Sequence, residues 1–200
     1  WMQNHGFLEK SPDVTADMYV DRPRVLLVDD EKEVADAYAL RIEAVADVTV
    51  TYGGAEALSA VDESEPPDVV LLDRHMPERS GDEVLEELRE YDMRTRIVMV
   101  TAIDPGLELL ELPFDDYLCK PVDRADLYAA VDQQCQVLAY DLLGEYFRRE
   151  STRAVLAADA TTATDAEERL AAIEADLETI EKRVRDLLPE AESLLSTFDG

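Results

Sequence analysis

Carboxylates, a threonine and a lysine each follow an apolar, strand-like run in this sequence. Asp29 and Asp30 close RVLLVDD, Asp73 closes VVLLD, Thr101 lies near the end of RIVMVTA, and Lys120 follows DDYLC. Because parallel strands point their carboxyl ends to one edge of a sheet, we expect these side chains to converge there. Taken alone, Asp73 has a simpler alternative, an aspartate that only begins a turn.

The chemistry available to such a group is metal-assisted phosphoryl transfer. Three neighbouring carboxylates repel and raise one another's pKa unless a cation is present. Mg²⁺ suits them, because it takes one or two carboxylates, keeps several waters and completes its octahedron with phosphate oxygens. A carboxylate can also attack phosphorus and form an acyl phosphate. The hydroxyl of Thr101 and the charge of Lys120 would both suit an anion carried at Asp73.

The elements that must position these residues follow a strand and helix alternation between residues 24 and 138. Strands are predicted at 24–30, 47–52, 69–73, 96–102 and 115–121, and helices at 31–45, 55–64, 82–91 and from 123, with a short helix after Asp104. Apolar runs bounded by turn residues are typical of buried parallel strands. The sequence therefore predicts an α/β fold, a five-stranded, doubly wound parallel sheet with right-handed crossovers.

Charge and composition narrow the class of partner. The chain has 200 residues and a formal charge of −28, with only 19 basic side chains. Nucleic acids and anionic membranes require clustered cations, so neither is an expected partner. Of the basic residues, 15 are Arg and 4 are Lys, and acids are spread along the whole chain. This pattern favours a surface adapted to strong salt, where screening reduces self-repulsion.

No segment of the sequence resembles a membrane span or a signal peptide. No apolar stretch approaches the roughly 20 residues of a membrane span, and residues 1–22 lack a continuous apolar core. We therefore expect a cytoplasmic protein whose residues 1–22 are a poorly ordered extension. Cys119 and Cys135 have neither the number nor the spacing of a disulfide framework or a zinc site, and they are predicted to be small core residues.

Four stretches in this region resemble those of the receiver domains of two-component response regulators. They are VDDE (28–31), LLDRHMP (71–77), VMVTA (98–102) and DDYLCKP (115–121), in that order. The resemblance covers roughly residues 24–138 and implies the flavodoxin-like receiver fold. It also implies that a sensor histidine kinase phosphorylates Asp73 and that the chain is not an enzyme beyond its own phosphorylation and dephosphorylation.

The same resemblance assigns roles to the predicted site. Asp30 and Asp73 would bind Mg²⁺ directly together with the backbone carbonyl of His75, while Asp29 would bind it through water. Thr101 and Lys120 would bind the phosphoryl oxygens. The switch would consist of Thr101 and of Tyr117, an aromatic side chain that turns inward when Thr101 moves toward the phosphate.

Two departures from the family pattern bear on output and phosphate lifetime. Pro113 and Phe114 replace the usual Gly-Ala pair before the fifth strand, on the expected output surface. Arg74 and His75, just after the acceptor, are bulky and could alter the access of water to an acyl phosphate.

A phosphatase of the haloacid dehalogenase type would need an Asp where His75 stands, and no Walker A motif is present.

Residues 139–200 carry a helical pattern of a different kind. Apolar side chains from Leu127 to Tyr146 extend the last receiver helix, and Thr164 with Glu167 forms a capping-box signature for a second helix. The predicted coiled-coil seam of that helix consists of Leu170, Ile173, Leu177, Ile180, Val184 and Leu187. Pro189 should interrupt it. The alternative is a single amphipathic helix on the receiver's own surface.

This tail resembles the HalX domain, an output module attached to receivers in salt-loving archaea. We predict a receiver at 23–138 and an all-α helical hairpin or coiled coil at 139–200, for homodimerisation or for an output partner not yet known. DNA binding through the tail is disfavoured, because residues 123–200 hold 8 basic and 18 acidic side chains. The remaining alternative is a scaffold protein that is never phosphorylated.

Overall fold

The computed structural model describes residues 21–63, 65–91, 93–102, 112–159, 164–188 and 191–195. The strands are β1 (Arg24–Val28), β2 (Asp47–Thr51), β3 (Val69–Asp73), β4 (Arg96–Thr101) and β5 (Asp116–Cys119). The helices are α1 (Lys32–Ile42), α2 (Gly54–Glu63), α3 (Gly81–Glu90), α4 (Arg124–Asp159), α5 (Thr164–Leu187) and α6 (Ala191–Leu195). The predicted residues 1–20 of the extension and the short helix after Asp104 lie outside the described ranges.

The five strands form one parallel sheet in the order β2-β1-β3-β4-β5. The predicted doubly wound fold is confirmed. All five residues of β3 are buried, because helices cover both faces of the sheet at its centre. The strand order reverses between β1 and β3, and open α/β sheets bind ligands outside the carboxyl ends at such a point.

Alternate residues of each strand point into two separate cores. In β1, Val25 and Leu27 pack toward α1 and α4, whereas Leu26 and Val28 pack toward α2 and α3. Residues of β3 and β4 alternate in the same way. This period of two fixes the sheet against both helical layers, so the ends of the strands are held at defined positions.

The last receiver helix and the tail are continuous. Helix α4 has 36 residues, which corresponds to a length of about 54 Å, and it crosses the predicted boundary at 138 without a break. Helix α5 packs along it as the second arm of a hairpin, and Arg149 of α4 pairs with Asp176 of α5 at 2.5 Å. The predicted extension of the receiver helix into the tail is thus present.

The apolar seam of α5 is partly covered within a single chain. Leu177, Ile180, Val184 and Leu187 are buried, and the last three belong to the core that α1 and α4 form on the sheet. Leu170 and Ile173, in the distal part of the hairpin, are half-buried. Helix α5 ends at Leu187 and α6 begins at Ala191, in line with the interruption predicted at Pro189, which itself is not described.

The prediction for the two cysteines is right for Cys135 and wrong for Cys119. Cys135 is fully buried on α4, but Cys119 is exposed. Strand β5 is the edge of the sheet, and its residues alternate between half-buried and exposed positions, with Tyr117 and Cys119 on the exposed side. Of the helices in the described ranges, none has both the length and the apolar character needed to cross a membrane.

Candidate functional site

Three carboxylates meet at the carboxyl edge of the sheet, as the sequence predicted. Asp29 and Asp30 directly follow β1, and Asp73 is the last residue of β3, the neighbouring strand. One oxygen of each carboxylate lies within 4.8 Å of the others. Asp29 and Asp73 are only 2% and 5% exposed, and Asp30 is half-buried. The sheet therefore holds three acids close together, two of them nearly closed to water and Asp30 partly open to it.

Lys120 is the cation that faces this group. Its Nζ lies 2.8 Å from Oδ2 of Asp29 and 2.9 Å from Oδ1 of Asp73. Its backbone amide donates to the carbonyl of Thr101 at 2.7 Å, which fixes the residue just beyond β5. Burial alone would lower the pKa of Lys120, but its hydrogen bonds to Asp29 and Asp73 outweigh that effect and raise it. Lys120 therefore stays charged and bridges two of the three acids.

One lysine does not compensate three carboxylates. Burial raises the pKa of Asp73, and the negative charges of Asp29 and Asp30 raise it further, although the bonds to Lys120 oppose the shift. The remaining negative charge is what a divalent cation would neutralise. The oxygen donor set also fits Mg²⁺, a hard cation that prefers carboxylate and carbonyl ligands.

The two acids after β1 differ in their hydrogen bonds. Asp29 accepts from the amide of Glu31 at 3.0 Å through Oδ1 and from Lys120 through Oδ2, so both of its oxygens are in use. For the Asp30 carboxylate, no hydrogen bond is found among the described residues. The Asp30 carboxylate is thus the less engaged of the pair, and the direct and water-mediated roles expected from the family resemblance stay predictions.

The structure places the two predicted switch residues on adjacent strands. Thr101 ends β4 and is fully buried beside the site. Tyr117, on β5, is 43% exposed and meets Phe114 edge to face, with ring centroids 6.4 Å apart. The Tyr117 side chain thus lies outside the core, next to Phe114, one of the two residues that depart from the family pattern.

The loop of residues 74–80, between β3 and α3, forms one wall of the site and carries His75, whose side chain is exposed. Glu78 adopts a φ of 64°, a left-handed conformation that is uncommon for a residue other than glycine. A surface cavity of about 630 Å³ separates this loop from the start of α2, and Asp30 lines it together with Tyr52 and Glu78. Asp30 is therefore the acid of the group that solvent reaches along this cavity.

Sequence reasoning missed the groups that hold this loop in place. Ser80 and Glu83 form a reciprocal capping box at the start of α3, and the S-x-x-E pattern SGDE could have revealed it. Gly81 has no room for a side chain, because a Cβ there would lie 2.2 Å from the carbonyl oxygen of Asp73. Arg74 pairs with Asp82 of α3, a contact that no pattern in the sequence predicts.

A group of hydrogen bonds and an ion pair from Arg89 holds the segment before β5. Arg89 of α3 donates to the carbonyls of Pro113 and Thr95, at 2.7 and 2.9 Å, and pairs with Asp115 at 2.6 Å. The Asp115 carboxylate also accepts from the backbone amide of Ile97. These bonds fix the Pro113-Phe114 segment to the sheet. The two residues that replace the usual Gly-Ala pair are therefore held in a defined position on the surface.

Comparison with known families agrees with this site. Residues 25–132 match the response regulator receiver domain, and residues 136–198 match the HalX domain. A parallel sheet in the order β2-β1-β3-β4-β5 with an acidic cluster at its carboxyl edge is the arrangement of such receivers. The chain therefore belongs to the response regulator receiver family and carries a HalX domain after its receiver.

Relatives among curated proteins are regulators. A Haloferax volcanii protein named "Putative transcriptional regulator" is 44% identical over 135 residues, which cover 66% of this chain but 23% of that protein. The transcriptional regulatory protein CutR of Streptomyces coelicolor is 45% identical over 113 residues, 54% of this chain and 51% of CutR. The chain thus spans about half or less of the length of these relatives.

Solved structures show the same receiver fold. A CheY-like receiver domain from Methanospirillum hungatei has a TM-score of 0.56 and 26% identity, covering 60% of this chain and 99% of that domain. A CheY-like receiver domain from Methylobacillus flagellatus has a TM-score of 0.53 and 28% identity, covering 57% and 99%. In both cases the match extends over nearly the whole solved domain. The matching part of this chain therefore has the complete receiver fold.

Proposed function

We propose that this chain is the phospho-accepting regulator of a two-component phosphorelay and that Asp73 receives the phosphoryl group. The observation that supports this most is the group of three carboxylates within 4.8 Å, of which Asp29 and Asp73 are buried and pair with Lys120. Receiver domains take their phosphoryl group from sensor histidine kinases, so the expected partner is such a kinase. Beyond its own phosphorylation and dephosphorylation we propose no enzymatic activity.

Mg²⁺ is the proposed cofactor. Asp30 and Asp73 would hold it directly, with the backbone carbonyl of His75, and Asp29 would contribute through water. Bound there, Mg²⁺ would neutralise the carboxylates and the incoming phosphoryl oxygens. Residues of the chain itself would supply the nucleophile and the groups that bind the phosphoryl oxygens. A carboxylate oxygen of Asp73 attacks phosphorus as the bond to the kinase histidine breaks, and Lys120 and Thr101 bind the transferred oxygens.

Labelling from a small phosphodonor tests the acceptor assignment. Full-length chain with Mg²⁺ should incorporate phosphate, and Asp73→Ala should reduce incorporation to background while circular dichroism shows an intact fold. Asp36→Asn is a matched control, because Asp36 is an exposed aspartate of the neighbouring helix α1 and should label normally. Unchanged labelling of Asp73→Ala would mean that another residue is the acceptor.

The scaffold alternative makes a different prediction. A scaffold that is never phosphorylated has no need of the pocket, and it should bind neither Mg²⁺ nor beryllofluoride, an analogue of the phosphoryl group. A receiver should bind both, and the two acids after β1 should contribute unequally. We expect Asp30→Ala to weaken Mg²⁺ binding more than Asp29→Ala in calorimetric titrations. Equal losses would show that the assigned direct and water-mediated roles are wrong.

The tail is proposed to act as the output or dimerisation module. The seam of α5 predicts homodimerisation because it needs a cover, but α4 and the receiver core already cover Leu177, Ile180, Val184 and Leu187. The half-buried Leu170 and Ile173, near the distal end of the hairpin, are the seam residues left for a second chain. Light scattering in molar salt should then give a dimer that Ile173→Asp dissociates. A monomeric wild-type chain would exclude this arrangement.

The names of the relatives favour an output connected with transcription. The HalX segment itself offers little for direct DNA contact, since several of its arginines pair with acids: Arg149 with Glu145 and Asp176, and Arg185 with Glu181. A partner protein that carries the DNA-binding surface is therefore the preferred route. Cytoplasmic location and adaptation to strong salt stay predictions from the sequence.

A further inference from the structure

The loop of residues 74–80 is tied to the sheet at both ends. At its start, the amide of Arg74 donates to the carbonyl of Val100 on β4 at 3.0 Å. At its end, the amide of Gly81 donates to the carbonyl of Arg74 at 2.9 Å, and the backbone of Gly81 lies directly against that of Asp73. The loop therefore starts and ends beside the acceptor, and its path between those points decides where its carbonyls lie.

That path is not one the chain would adopt freely. Glu78 has a φ of 64°, and a residue with a Cβ is held in this conformation only where the surroundings impose it. Arg79 in the next position donates its amide to the carbonyl of Pro77 at 2.6 Å, so the loop makes a tight turn. Contacts outside the turn must therefore fix the loop's conformation.

The side chain of Arg74 supplies one such contact, with three hydrogen bonds to a single carboxylate. Its Nε lies 3.0 and 3.3 Å from the two carboxylate oxygens of Asp82, and its Nη2 lies 3.1 Å from Oδ2. Two guanidinium nitrogens thus meet both oxygens, a geometry that fixes orientation as well as distance. The Arg74 side chain is 21% exposed and that of Asp82 is 33% exposed, so the pair is partly shielded from water.

The pair links the acceptor strand to helix α3. Arg74 directly follows Asp73, and Asp82 lies in the first turn of α3, where a negative charge also interacts favourably with the helix dipole. We propose that Asp82 is a positioning residue for the acceptor pocket, acting through Arg74 to hold the loop that would supply a carbonyl ligand to Mg²⁺. This inference rests on the proposed function.

The physical reason for an effect on metal binding is the strict geometry of Mg²⁺. Mg²⁺ demands a near-ideal octahedron of oxygens, so a loop carbonyl that is free to move is a poor ligand. Losing a group that orients metal ligands typically weakens metal affinity about 10- to 100-fold. We expect Asp82→Ala to weaken Mg²⁺ binding by at least about tenfold, although Asp82 is not itself one of the clustered carboxylates.

A second ion pair between the same loop and the same helix serves as the matched control. Arg79 and Glu87 lie 2.9 Å apart, and both side chains are 41% exposed. An exposed pair of this kind contributes little, and it involves neither Arg74 nor Asp82. Glu87→Ala removes one negative charge from α3, as Asp82→Ala does, so any general effect of charge on cation binding appears in both variants.

The experiment is Mg²⁺ titration by calorimetry on the full chain, with Mn²⁺ electron paramagnetic resonance as a second readout. Asp82→Ala should lose about tenfold or more in affinity, Glu87→Ala less than twofold, and Asp82→Glu should recover part of the loss. Arg74→Met should resemble Asp82→Ala, and the double variant should be no worse than either single one, because the two residues act as a pair.

The outcomes separate this inference from the proposed function. If the wild-type chain binds no Mg²⁺, the proposed function itself fails. If the wild-type chain binds Mg²⁺ and Asp30→Ala does not, but Asp82→Ala and Arg74→Met bind like wild type, only the positioning role is overturned. Should Asp82→Ala not fold, the isosteric Asp82→Asn and Arg74→Met carry the same test, and wild-type affinity in both would overturn the role.

Discussion

The two ends of strand β3 each carry a buried aspartate, and the surroundings of the two carboxylates differ. Asp73 at the carboxyl end shares Lys120 with Asp29 and lies beside a third acid, Asp30. Asp68, just before the amino end, accepts a hydrogen bond from the backbone amide of Arg24 at 2.7 Å and pairs with Arg183 of α5. One end has more negative charge than its neighbours neutralise, and the other does not.

This difference distinguishes a site from a structural contact. Both carboxylates are at most 5% exposed, so burial alone does not tell them apart. The Asp68 carboxylate is satisfied by groups of the chain itself, including one from the HalX tail. The acids at the other end share one lysine, so part of their negative charge has no counter-charge among the described residues. A cluster of this kind at a rigid sheet edge favours a binding site, and a carboxylate paired within the chain, as Asp68 is, favours a structural contact.

The largest effect is expected when the compensated end is broken. Asp68→Ala removes the ion pair with Arg183, whose guanidinium then keeps the longer contact of 3.6 Å to Asp186, and it removes the hydrogen bond to the amide of Arg24. Removing one member of a buried pair is strongly destabilising, so the free energy of unfolding should fall by about 3 kcal/mol. Urea denaturation measures this free energy. The control is Glu181→Ala, which removes the exposed Arg185–Glu181 pair and should lower the free energy of unfolding by well under about 1 kcal/mol.

A loss in Asp68→Ala as small as in Glu181→Ala would show that the HalX tail is not fastened to the receiver at this point. Hydrogen exchange gives an independent view of the same contact. Amides in the last turns of α5 should exchange faster in Asp68→Ala than in wild type, because the receiver then holds this helix less firmly.

The next largest effect concerns the backbone behind the acceptor. Gly81→Ala places a Cβ 2.2 Å from the carbonyl oxygen of Asp73, a contact that only movement of the backbone can relieve. Forcing extra atoms into a packed position should cost about 2 kcal/mol of unfolding free energy and should weaken Mg²⁺ binding as the loop shifts. Gly53→Ala is the control, because no atom lies within 4 Å of its added Cβ. Equal stability of the two variants would contradict the predicted crowding.

Most of the fold could be predicted from the sequence, because its signals are local. The apolar runs of β1 and β3 and the acids at their carboxyl ends are enough to place Asp29, Asp30 and Asp73 at one edge of a parallel sheet. The contacts that the sequence did not reveal join residues far apart in the chain. Asp68 with Arg183, 115 positions away, and Arg89 with Asp115 are ordinary charged residues in sequence, and only the folded chain brings them together.

The sequence left the cover of the α5 seam open for the same reason. The alternation of Leu170, Ile173, Leu177 and Ile180 is equally consistent with a partner chain, a hairpin arm or the receiver's own surface. Periodicity identifies an apolar face but not what packs against it. The two long helices decide what covers the seam. Helix α4 carries the chain away from the sheet over 36 residues, and α5 packs along it and brings the chain back to the receiver.

The smallest effect is expected at the under-compensated end without a metal. Burial raises the pKa of Asp73 above its ordinary value near 3.8, and Lys120 only partly opposes the shift. A group whose pKa is higher in the folded state stabilises the fold at pH values below its unfolded pKa. That contribution is lost as the pH rises through the folded pKa. In chelator, wild type should therefore lose stability relative to Asp73→Asn, which does not titrate, between about pH 4 and neutral pH.

At neutral pH without metal, Asp73→Asn should consequently be more stable than wild type, and the difference should shrink as the pH falls toward the ordinary pKa of an aspartate. Mg²⁺ should reverse the order, because it binds the folded wild type with its full set of carboxylates and stabilises it by mass action. Urea denaturation at several pH values, with chelator and with Mg²⁺, measures both differences. A wild-type chain that is the more stable one in chelator at neutral pH would mean that Lys120 fully compensates Asp73. The two ends of β3 would then be alike.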